Sequence, residues 1–443
     1  MAEEHLPGYR GALRQALIEA GMDVGDSIRV TSGGVDYEGS LMPRVETSDD
    51  HHIVVKMKSG YNIGLLYTGD TKIVRLGKAV KPEFRVSPIP EMRKGLPRVS
   101  IISTGGTIAS RVDYITGGVH AAISASDLLS IVPELSDVAA VDAEILFSTF
   151  SENISPSDWS IMARKAADKI KEGVDGIVFT HGTDTLGYSS AALSFALKDL
   201  PIPVIFVGSQ RSSDRPSSDA ATNLLGVVQT AGKAPFAEVA LGMHETTSDT
   251  SIIFHRGTKV RKFHTSTRYA FQSVNSQPLA RFNEGEIQMI SKDYHKRGEG
   301  ALEVRDRFEE KVALLKFHPG FTEGLINHCI DDGFKGIVIE GTGLGHTSTE
   351  LYEVIKRADK AGILLGMTSQ CIYGRVDMDV YSTGRELQAL GVQPLGDMLP
   401  ETALVKQMWA LANSEDIEEA QRIMMENIAG EYSDRTLYTG RFG

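Results

Sequence analysis

The sequence predicts an α/β protein with parallel sheets, preceded by a small β-barrel. Beyond residue 97, short β-branched runs alternate with amphipathic helical patterns, the order typical of strand–helix–strand units. Before that point, short β-type runs are separated by Gly, Asp and Ser turns, as expected for a small barrel. At 443 residues the chain is long enough for about two or three domains, each with its own core.

The pattern divides the chain into four parts. Residues 1–88 hold a short helix ending at Gly21 and the barrel, with strands predicted at residues 27–30, 52–57, 61–65 and 72–76. Prolines between residues 82 and 97 cannot continue a helix or a central strand, so we place a linker at residues 89–97. Residues 98–300 form a larger α/β domain and residues 301–443 a smaller one, with a polar, charged interval at 291–310 between them.

The best-marked helix of the larger domain begins after Ser155. This residue is a suitable N-cap, Pro156 occupies the first helical position and Asp158 the third, and the helical pattern stops at Gly173. A buried strand follows at once at residues 176–180. Further apolar runs of strand type lie at residues 204–207, 336–339 and 362–366, separated by helical patterns, which favours parallel sheets.

The composition restricts the class of protein. With 46 Lys and Arg against 58 Asp and Glu, the net charge is −12. A chain with this charge gains little binding free energy from the release of counterions on nucleic acid, so any RNA would need a partner protein to hold it. The two cysteines, Cys329 and Cys371, form no C-x-x-C pair and predict no zinc site. No signal-peptide pattern and no apolar stretch of ~20 residues is present. We expect a cytoplasmic protein without a membrane partner.

Two threonine-rich segments follow predicted strands. T-G-G-T-I-A at residues 104–109 comes after the run at 98–102, and H-G-T-D-T at residues 181–185 comes after the strand at 176–180. Because the carboxyl ends of parallel strands form the crevice where ligands bind, both segments are expected to face one pocket. Paired hydroxyls in a pocket suit nucleophilic chemistry, whereas His181 is better explained as a histidine whose hydrogen bonds hold its loop.

A threonine hydroxyl is a poor nucleophile and needs a base to take its proton. After Thr107 the nearest candidate is Tyr114, followed by a glycine pair that lets a loop fold back over the pocket. The second segment offers Thr183 beside Asp184. A lysine can complete this set where burial and neighbouring charge leave its amine neutral, and the best-placed candidate lies in K-V-R-K at residues 259–262.

These motifs together resemble the L-asparaginase/glutaminase family. The resemblance rests on the two threonine segments, the lysine segment and G-T-G-L-G at residues 341–345, and it runs from Pro97 to the C-terminus. It implies an asparaginase-type fold of two domains with parallel sheets. It also implies site residues: Thr107 as nucleophile, Tyr114 to handle its proton, Thr183, Asp184 and Lys262 as a second set, Ser151 and Glu152 to clasp substrate, and Asp184 to bind its α-ammonium group.

Two positions depart from that family. Asparaginases often have Gln where this chain has Glu152, and many have an asparagine that reaches a neighbouring subunit's pocket where this chain has His346. The expected chemistry is a two-step acyl transfer, in which Thr107 attacks the side-chain amide of glutamine, ammonia leaves, and water hydrolyses the acyl-enzyme. Whether Thr107 or Thr183 attacks first stays open, and no metal is required.

The amino-terminal region resembles a narrower family. D-Y-E-G at residues 36–39 and G-Y-N-I-G at residues 60–64 are similar to the archaeal D subunits of glutamyl-tRNA(Gln) amidotransferase. The resemblance implies a glutaminase that supplies ammonia to a partner subunit, GatE, which binds tRNA(Gln) carrying glutamate and activates that glutamate with ATP and Mg. No cofactor is then expected in this chain, which would form a homodimer within a heterotetramer. A free-standing L-asparaginase and a non-catalytic binding scaffold remain as alternatives.

Overall fold

The computed structural model describes residues 6–44, 49–57, 62–78, 95–106, 110–112, 119–121, 132–211 and 218–435. Most of the predicted linker at residues 89–97 lies outside these ranges. The amino-terminal part contains α1 (Gly11–Glu19), β1 (Ser27–Ser32), β2 (Val35–Leu41), β3 (His52–Met57), β4 (Asn62–Leu66) and β5 (Lys72–Gly77). The strands form an antiparallel sheet in the order β4-β3-β2-β1-β5.

All five strands contribute to one apolar core, as in a barrel. Alternate residues such as Ile28 and Val30 of β1 and Ile53 and Val55 of β3 are buried, and Leu13 of α1 packs into the same cluster. Period-two burial of this kind places one face of each strand inside. Within the described residues no strand pairing joins β4 to β5, so hydrogen bonds between strands do not close this sheet into the predicted barrel.

The larger α/β part begins at residue 98. In chain order its elements are β6 (Arg98–Gly105), β7 (Ser110–Val112), β8 (Val119–Ala121), α2 (Leu135–Val138), β9 (Ala140–Thr149), α3 (Pro156–Lys171), β10 (Gly176–Thr180), α4 (Leu186–Ala196), β11 (Leu197–Lys198), β12 (Val204–Val207), α5 (Ala220–Lys233), β13 (Val239–His244), β14 (Ser251–Arg256), β15 (Val260–Lys262), β16 (Phe271–Ser273), β17 (Ala280–Asn283) and β18 (Glu286–Met289). Eight of these strands form one sheet in the order β18-β17-β14-β13-β12-β10-β6-β9.

Helices cover both faces of this sheet. Successive residues of each central strand enter opposite cores, so Ile177 and Phe179 pack on one side and Val178 on the other. The first core is completed by α3 and α4, and the second by α2 and α5. The helix α3 begins as predicted, with a capping box between Ser155 and Asp158. The predicted α/β class is therefore confirmed, and the parallel part of this sheet consists of β9, β6, β10, β12 and β13.

The smaller part contains a second parallel sheet. Its elements are β19 (Glu303–Val304), β20 (Val312–Lys316), α6 (Gly324–Asp331), β21 (Gly336–Gly341), α7 (Tyr352–Lys360), β22 (Leu364–Ser369), α8 (Ser382–Ala389), β23 (Gln393–Pro394), α9 (Pro400–Asn413) and α10 (Ile417–Met425). The sheet order is β20-β21-β22-β23, and every pairing is parallel. The helix α9 joins the two parts, since Trp409 stacks on Phe195 of α4 with ring centroids 5.8 Å apart.

The structure corrects the strand predictions at several points. The strand β2 is absent from the predicted set because only Leu41 among its residues is buried, so it lacks the apolar alternation that marks a strand. The strand predicted at residues 362–366 occupies Leu364–Ser369, since Gly362 has a φ of 75° and belongs to the preceding turn. The larger sheet also has an antiparallel edge, formed by β14, β17 and β18. In the described ranges, no helix has the length and apolarity needed to cross a bilayer.

Candidate functional site

The carboxyl ends of three parallel strands lie side by side at one edge of the larger sheet. Thr180 of β10 is paired in register with Ser103 of β6 on one side and with Val207 of β12 on the other. The threonine-rich segments follow β6 and β10 directly, so both leave the sheet at the same edge. The predicted juxtaposition of the two segments is confirmed as far as Gly106, the last described residue of the first.

Two glycines allow these segments to touch. Gly106 has a φ of 83°, and a Cβ at this position would lie 2.6 Å from the backbone nitrogen of Gly182 and 2.6 Å from the carbonyl carbon of His181. A Cβ on Gly182 would in turn lie 2.7 Å from Oγ of Ser151. Gly106 therefore lets the backbones of the two threonine-rich segments touch, and Gly182 leaves the space that the side chain of Ser151 occupies.

Some of the threonine hydroxyls hold the scaffold together. Thr104 is buried and its Oγ1 donates to the carbonyl oxygen of Thr180 at 2.9 Å, while Oγ1 of Thr180 donates to Oγ of Ser103 at 3.2 Å. Oγ1 of Thr185 donates to the carbonyl oxygen of Ser151 at 2.6 Å. These bonds tie the strand ends and the loop after β9 together, and they leave Thr183 as the hydroxyl of its segment that faces the cleft.

A cleft of about 390 Å³ opens at this edge. That volume lies within the usual range for pockets that bind small molecules. Five of the residues predicted for the site line it: Ser151, Glu152, Thr183, Asp184 and Lys262. Ser151 is buried and Glu152 exposed, both in a single 3₁₀ turn after β9. The structure therefore places the predicted clasping pair beside the predicted hydroxyl–acid–amine set.

The side chain of Lys262 connects the members of that set. Its Nζ donates to Oγ1 of Thr183 at 2.8 Å and to Oδ1 of Asp184 at 2.8 Å. The lysine side chain is 15% exposed and the aspartate side chain 69% exposed, so the carboxylate points to solvent at the cleft mouth. One amine thus contacts a hydroxyl and a carboxylate on adjacent residues, an arrangement that can hold a proton, an ammonium group and a reacting carbonyl near one another.

Lys262 reaches the cleft from a separate hairpin. The strands β15 and β16 form a two-stranded antiparallel sheet of their own, in which Lys262 is opposite Phe271. The pairing continues one step beyond the strands, because the Phe263 nitrogen donates to the carbonyl oxygen of Ala270 at 2.7 Å. The amine that contacts Thr183 therefore comes from a part of the chain that is distant in sequence from both threonine segments.

His181 has a structural role, as predicted. It is fully buried, and burial lowers the pKa of its ring to about 4. Its Nδ1 donates to the carbonyl oxygen of Gly182 at 2.6 Å, and its Nε2 accepts from the hydroxyl of Ser189 at 2.8 Å. Ser189 also accepts from Nε1 of Trp159 at 2.9 Å, which leaves its hydroxyl proton for the ring. The neutral histidine therefore ties the loop to α4 and α3.

Three residues singled out from the sequence are not part of the described cleft. Thr107 and Tyr114, predicted as nucleophile and proton carrier, lie outside the described residues. His346 lies after β21, where its ring packs edge-on against Tyr381 with centroids 5.5 Å apart and Nδ1 is 3.4 Å from Oγ1 of Thr383. Among the described residues that line the cleft, His346 is not present.

The sequence interpretation missed other residues of the lining. These are Ser148 to Phe150 at the end of β9, Ser209 and Gln210 after β12, and Thr265 in the hairpin loop. Gly106 and Gly182 also line the cleft, but they belong to the two segments that were expected there. A signal was available for Ser209 and Gln210, because they follow a predicted strand that is the immediate neighbour of β10. The same strand-end rule that located the threonine segments applies to them.

The comparisons with protein families divide the chain as the fold does. Residues 98–295 match the model described as asparaginase, N-terminal, and residues 311–424 match the glutaminase/asparaginase C-terminal domain. Residues 22–75 match the GatD N-terminal domain. The asparaginase-type fold preceded by a small antiparallel β domain is therefore confirmed.

Whole-length relatives share this combination. The D subunit of glutamyl-tRNA(Gln) amidotransferase from Metallosphaera sedula is 48% identical over 433 residues, covering 97% of each chain. The protein of the same name from Pyrococcus abyssi is 49% identical over 428 residues, covering 95% of this chain and 98% of its own. That of Methanothermobacter thermautotrophicus is 48% identical over 429 residues, covering 97% and 98%.

Solved structures match the part after the amino-terminal region. The thermostable L-asparaginase from Thermococcus kodakarensis is 34% identical and superposes with a TM-score of 0.69, covering 76% of this chain and 99% of its own. L-asparaginase I from Vibrio cholerae is 26% identical with a TM-score of 0.68, covering 76% of this chain and 99% of its own.

Proposed function

This chain belongs to the family of glutamyl-tRNA(Gln) amidotransferase D subunits, and we propose that it hydrolyses glutamine to supply ammonia for converting Glu-tRNA(Gln) to Gln-tRNA(Gln). The observation that carries the proposal is the position of Lys262. Its Nζ lies 2.8 Å from both Thr183 Oγ1 and Asp184 Oδ1 inside the 390 Å³ cleft. A hydroxyl, an acid and an amine in contact suit acyl transfer from an amide.

The reaction proceeds in two steps in this proposal. Thr107, assigned as nucleophile by the family resemblance, attacks the side-chain amide carbon of glutamine while Tyr114 takes its proton. The C–N bond then breaks, and the amide nitrogen gains a proton and leaves as ammonia. In the second step Thr183, with Lys262, guides water onto the ester, which releases glutamate and restores the threonine hydroxyl.

The exposed carboxylate of Asp184 suits the charged end of the substrate. A free amino acid carries an α-ammonium group, and a carboxylate at the cleft mouth offers it a charge-assisted hydrogen bond. Ser151 and Glu152 lie on the neighbouring turn and complete the clasp in this proposal. Because Glu152 is itself acidic, it would favour the ammonium group over the α-carboxylate of glutamine.

The relatives' name describes one subunit of a larger enzyme, so we assign this chain to a multi-subunit amidotransferase. We further propose that a GatE-like partner holds tRNA(Gln) and uses ATP and Mg to activate its glutamate. The net charge of −12 supports this division, since phosphates are bound by clustered Lys and Arg. A homodimer of this chain inside a heterotetramer is part of the same proposal. No bound metal or cofactor is assigned to this chain.

Ammonia release from glutamine and from asparagine tests the proposal. We expect Thr107→Val and Thr183→Val to lose glutaminase activity by several powers of ten, each worth about 1.4 kcal/mol of barrier. Thr368→Val is the matched control, because Thr368 is buried in the smaller sheet and its hydroxyl donates to the carbonyl oxygen of Ile339. That variant should keep its activity, and thermal melting should show all three folded.

Two results would point to another function. A wild-type chain that prefers asparagine and is indifferent to the partner and the tRNA would be a free-standing asparaginase. A wild-type chain that releases ammonia from neither amide, alone or with the partner, would be a binding scaffold. A Thr107→Val variant with near wild-type turnover would remove the assigned nucleophile and with it the two-step mechanism.

A further inference from the structure

The hairpin that carries Lys262 needs support from outside itself. Its strands, β15 and β16, contain three residues each and pair with no other strand among the described residues. A lone two-stranded hairpin is at best marginally stable in water. The amine nevertheless has to be held within hydrogen-bond distance of Thr183, so the contacts that fix the hairpin also fix the site.

A side-chain amide clasps the end of this hairpin to the smaller domain. Nδ2 of Asn275 donates to the carbonyl oxygen of Gly374 at 2.9 Å, and the Gly374 nitrogen donates to Oδ1 of Asn275 at 3.0 Å. The side-chain amide and the Gly374 backbone thus exchange two hydrogen bonds, as two paired residues of an antiparallel sheet do. Asn275 has a φ of 56°, a left-handed conformation that is uncommon for residues other than glycine. The two residues are 99 positions apart.

Further contacts hold β15 at both of its ends. Phe263, which follows Lys262, stacks on Tyr373 with ring centroids 6.3 Å apart and planes inclined by 27°. At the other end, the buried Nζ of Lys259 lies 2.7 Å from Oδ2 of the buried Asp397. Tyr373, Gly374 and Asp397 all belong to the smaller domain. Val260 and Phe271 of the hairpin are also buried in the apolar core that includes α3 and α4. Contacts between the two domains therefore add to that packing in fixing the Lys262 strand.

We propose that Asn275 is a positioning residue for the hydrolysis of the glutamine amide. By fixing the hairpin to Gly374, Asn275 holds Lys262 against Thr183 and Asp184. The proposal rests on the proposed function, because it gives Lys262 a part in catalysis. Its physical basis is geometric: a catalytic group displaced by about 1 Å can lose ~100-fold in rate. Asn275 itself does not line the cleft and touches no substrate in this proposal.

The test is Asn275→Gly, because glycine accepts the positive φ without strain. The substitution removes the two bonds to Gly374 and a longer one of 3.5 Å from Nδ2 to the carbonyl oxygen of Asp397, which also belongs to the smaller domain. We expect kcat for glutamine to fall about tenfold to a hundredfold, with KM changed less than about twofold. Asn413→Gly is the matched control. Its side-chain amide donates to the carbonyl oxygens of Arg307 and Trp409, away from the hairpin, and kcat should be unchanged.

A double-mutant cycle separates positioning from a general loss of structure. If Asn275 acts through Lys262, Asn275→Gly should lower kcat in the wild type and have no further effect in a Lys262→Met background. Asn275→Asp keeps the acceptor for the Gly374 nitrogen but turns a carboxylate oxygen toward the carbonyl oxygen of Gly374, so it should lower kcat at least as much as Asn275→Gly. It also serves as the test variant in place of Asn275→Gly where the glycine variant fails to fold.

The outcomes distinguish this inference from the function on which it rests. If Lys262→Met is impaired while Asn275→Gly and Asn275→Asp turn over like the wild type, the positioning role is wrong and the function stands. An equal fractional loss from Asn275→Gly with and without Lys262 would also refute positioning. If Lys262→Met is as active as the wild type, the proposed function of the set fails, and the positioning role fails with it.

Discussion

Nζ of Lys262 lies 2.8 Å from Oγ1 of Thr183, although the two residues are 79 positions apart in the chain. The same nitrogen lies 2.8 Å from Oδ1 of Asp184, the residue that follows Thr183. The amine therefore contacts a hydroxyl and a carboxylate that the chain delivers together at the end of β10. Groups in such contact act as a unit, so the effect of removing one depends on the others.

Lys262→Met should lower kcat for glutamine by about 100-fold or more while KM changes little, because methionine keeps the length of the side chain and loses the amine used in the transition state. Steady-state ammonia release measures both constants. Lys165→Met is a suitable control, since Lys165 forms a single ion pair with Glu144 at 2.8 Å outside the cleft. A loss confined to KM would show that Lys262 is only a substrate contact.

Gly106→Ala should abolish glutaminase activity and destabilise the fold. The new Cβ would meet the backbone of His181 and Gly182 at 2.6 Å, so one of the two threonine segments must move. Gly173→Ala is the control, because Gly173 has a similar φ of 79° but nothing lies within 4 Å of an added Cβ. This variant should therefore lose only the free energy of backbone strain, about 1–2 kcal/mol. Thermal melting and activity are compared, and equal effects for the two variants would contradict the close approach.

Local patterns placed the strands that they predicted to within about three residues of the observed ends, but they left β9, β13, β14, β17, β18 and β20 unassigned. The runs before residues 104 and 181 are rich in β-branched residues and buried from Val99 and Gly176 onward, so their type is visible in a short window. The parallel arrangement then brings their ends together. The capping box at Ser155 is likewise a local signal. The strand β2 was not predicted because it lacks the expected alternation of apolar and polar residues. Exposed polar residues occupy part of it, and it contains Gly39, whose Cβ would lie 2.0 Å from the carbonyl oxygen of Lys56.

Contacts between distant parts of the chain could not be predicted from local sequence patterns. K-V-R-K contains two lysines three positions apart, and nothing in the pattern says that Lys259 enters a buried ion pair while Lys262 reaches the cleft. The bond between Asn275 and Gly374 joins two domains and has no local signature. The roles assigned to Thr107 and Tyr114 stay predictions, since these residues lie outside the described part of the chain.

The free energy of unfolding should fall as the pH is lowered from about 6.5 to about 4. Burial lowers the pKa of His255 from 6.5 to about 4, against the opposing effects of the Glu245 carboxylate and of a hydrogen bond from the ring to the Phe271 backbone. Between these pH values the unfolded chain binds a proton that the folded chain does not, so acid favours unfolding by about 3 kcal/mol or less for this group.

Urea unfolding at several pH values measures that dependence on His255. The variant His255→Gln should show a shallower slope between pH 4 and 6.5 than the wild type, because one titrating group has been removed. His328→Gln, at an exposed position on α6, controls for the substitution itself. An unchanged slope in His255→Gln would mean that His255 does not titrate differently in the folded and unfolded states.

Lys259→Met should destabilise the protein by about 3–5 kcal/mol, because it leaves the carboxylate of Asp397 buried without its partner. Burial lowers the pKa of Lys259, and the attraction of Asp397 opposes that effect. Lys311→Met removes an exposed ion pair with Asp332 and should cost about 0–1 kcal/mol. Urea midpoints compare the two variants. The double variant Lys259→Met/Asp397→Asn tests the cause. If it is no more stable than Lys259→Met, the loss of stability in Lys259→Met does not come from the unpaired carboxylate.

The isolated chain should bind glutamyl-tRNA weakly, with little dependence on salt. Its net charge of −12 provides few favourable contacts for phosphates, and the sequence has no basic stripe interleaved with aromatic residues. Filter binding at about 50 mM and 200 mM salt measures this, since binding that depends on phosphate contacts would weaken by powers of ten over that range.

Adding the partner protein and charged tRNA together should raise the glutaminase rate by coupling between the two sites. Tight, salt-sensitive binding by the chain alone would place the tRNA on this chain, and a rate that ignores both additions would favour a free-standing amidohydrolase.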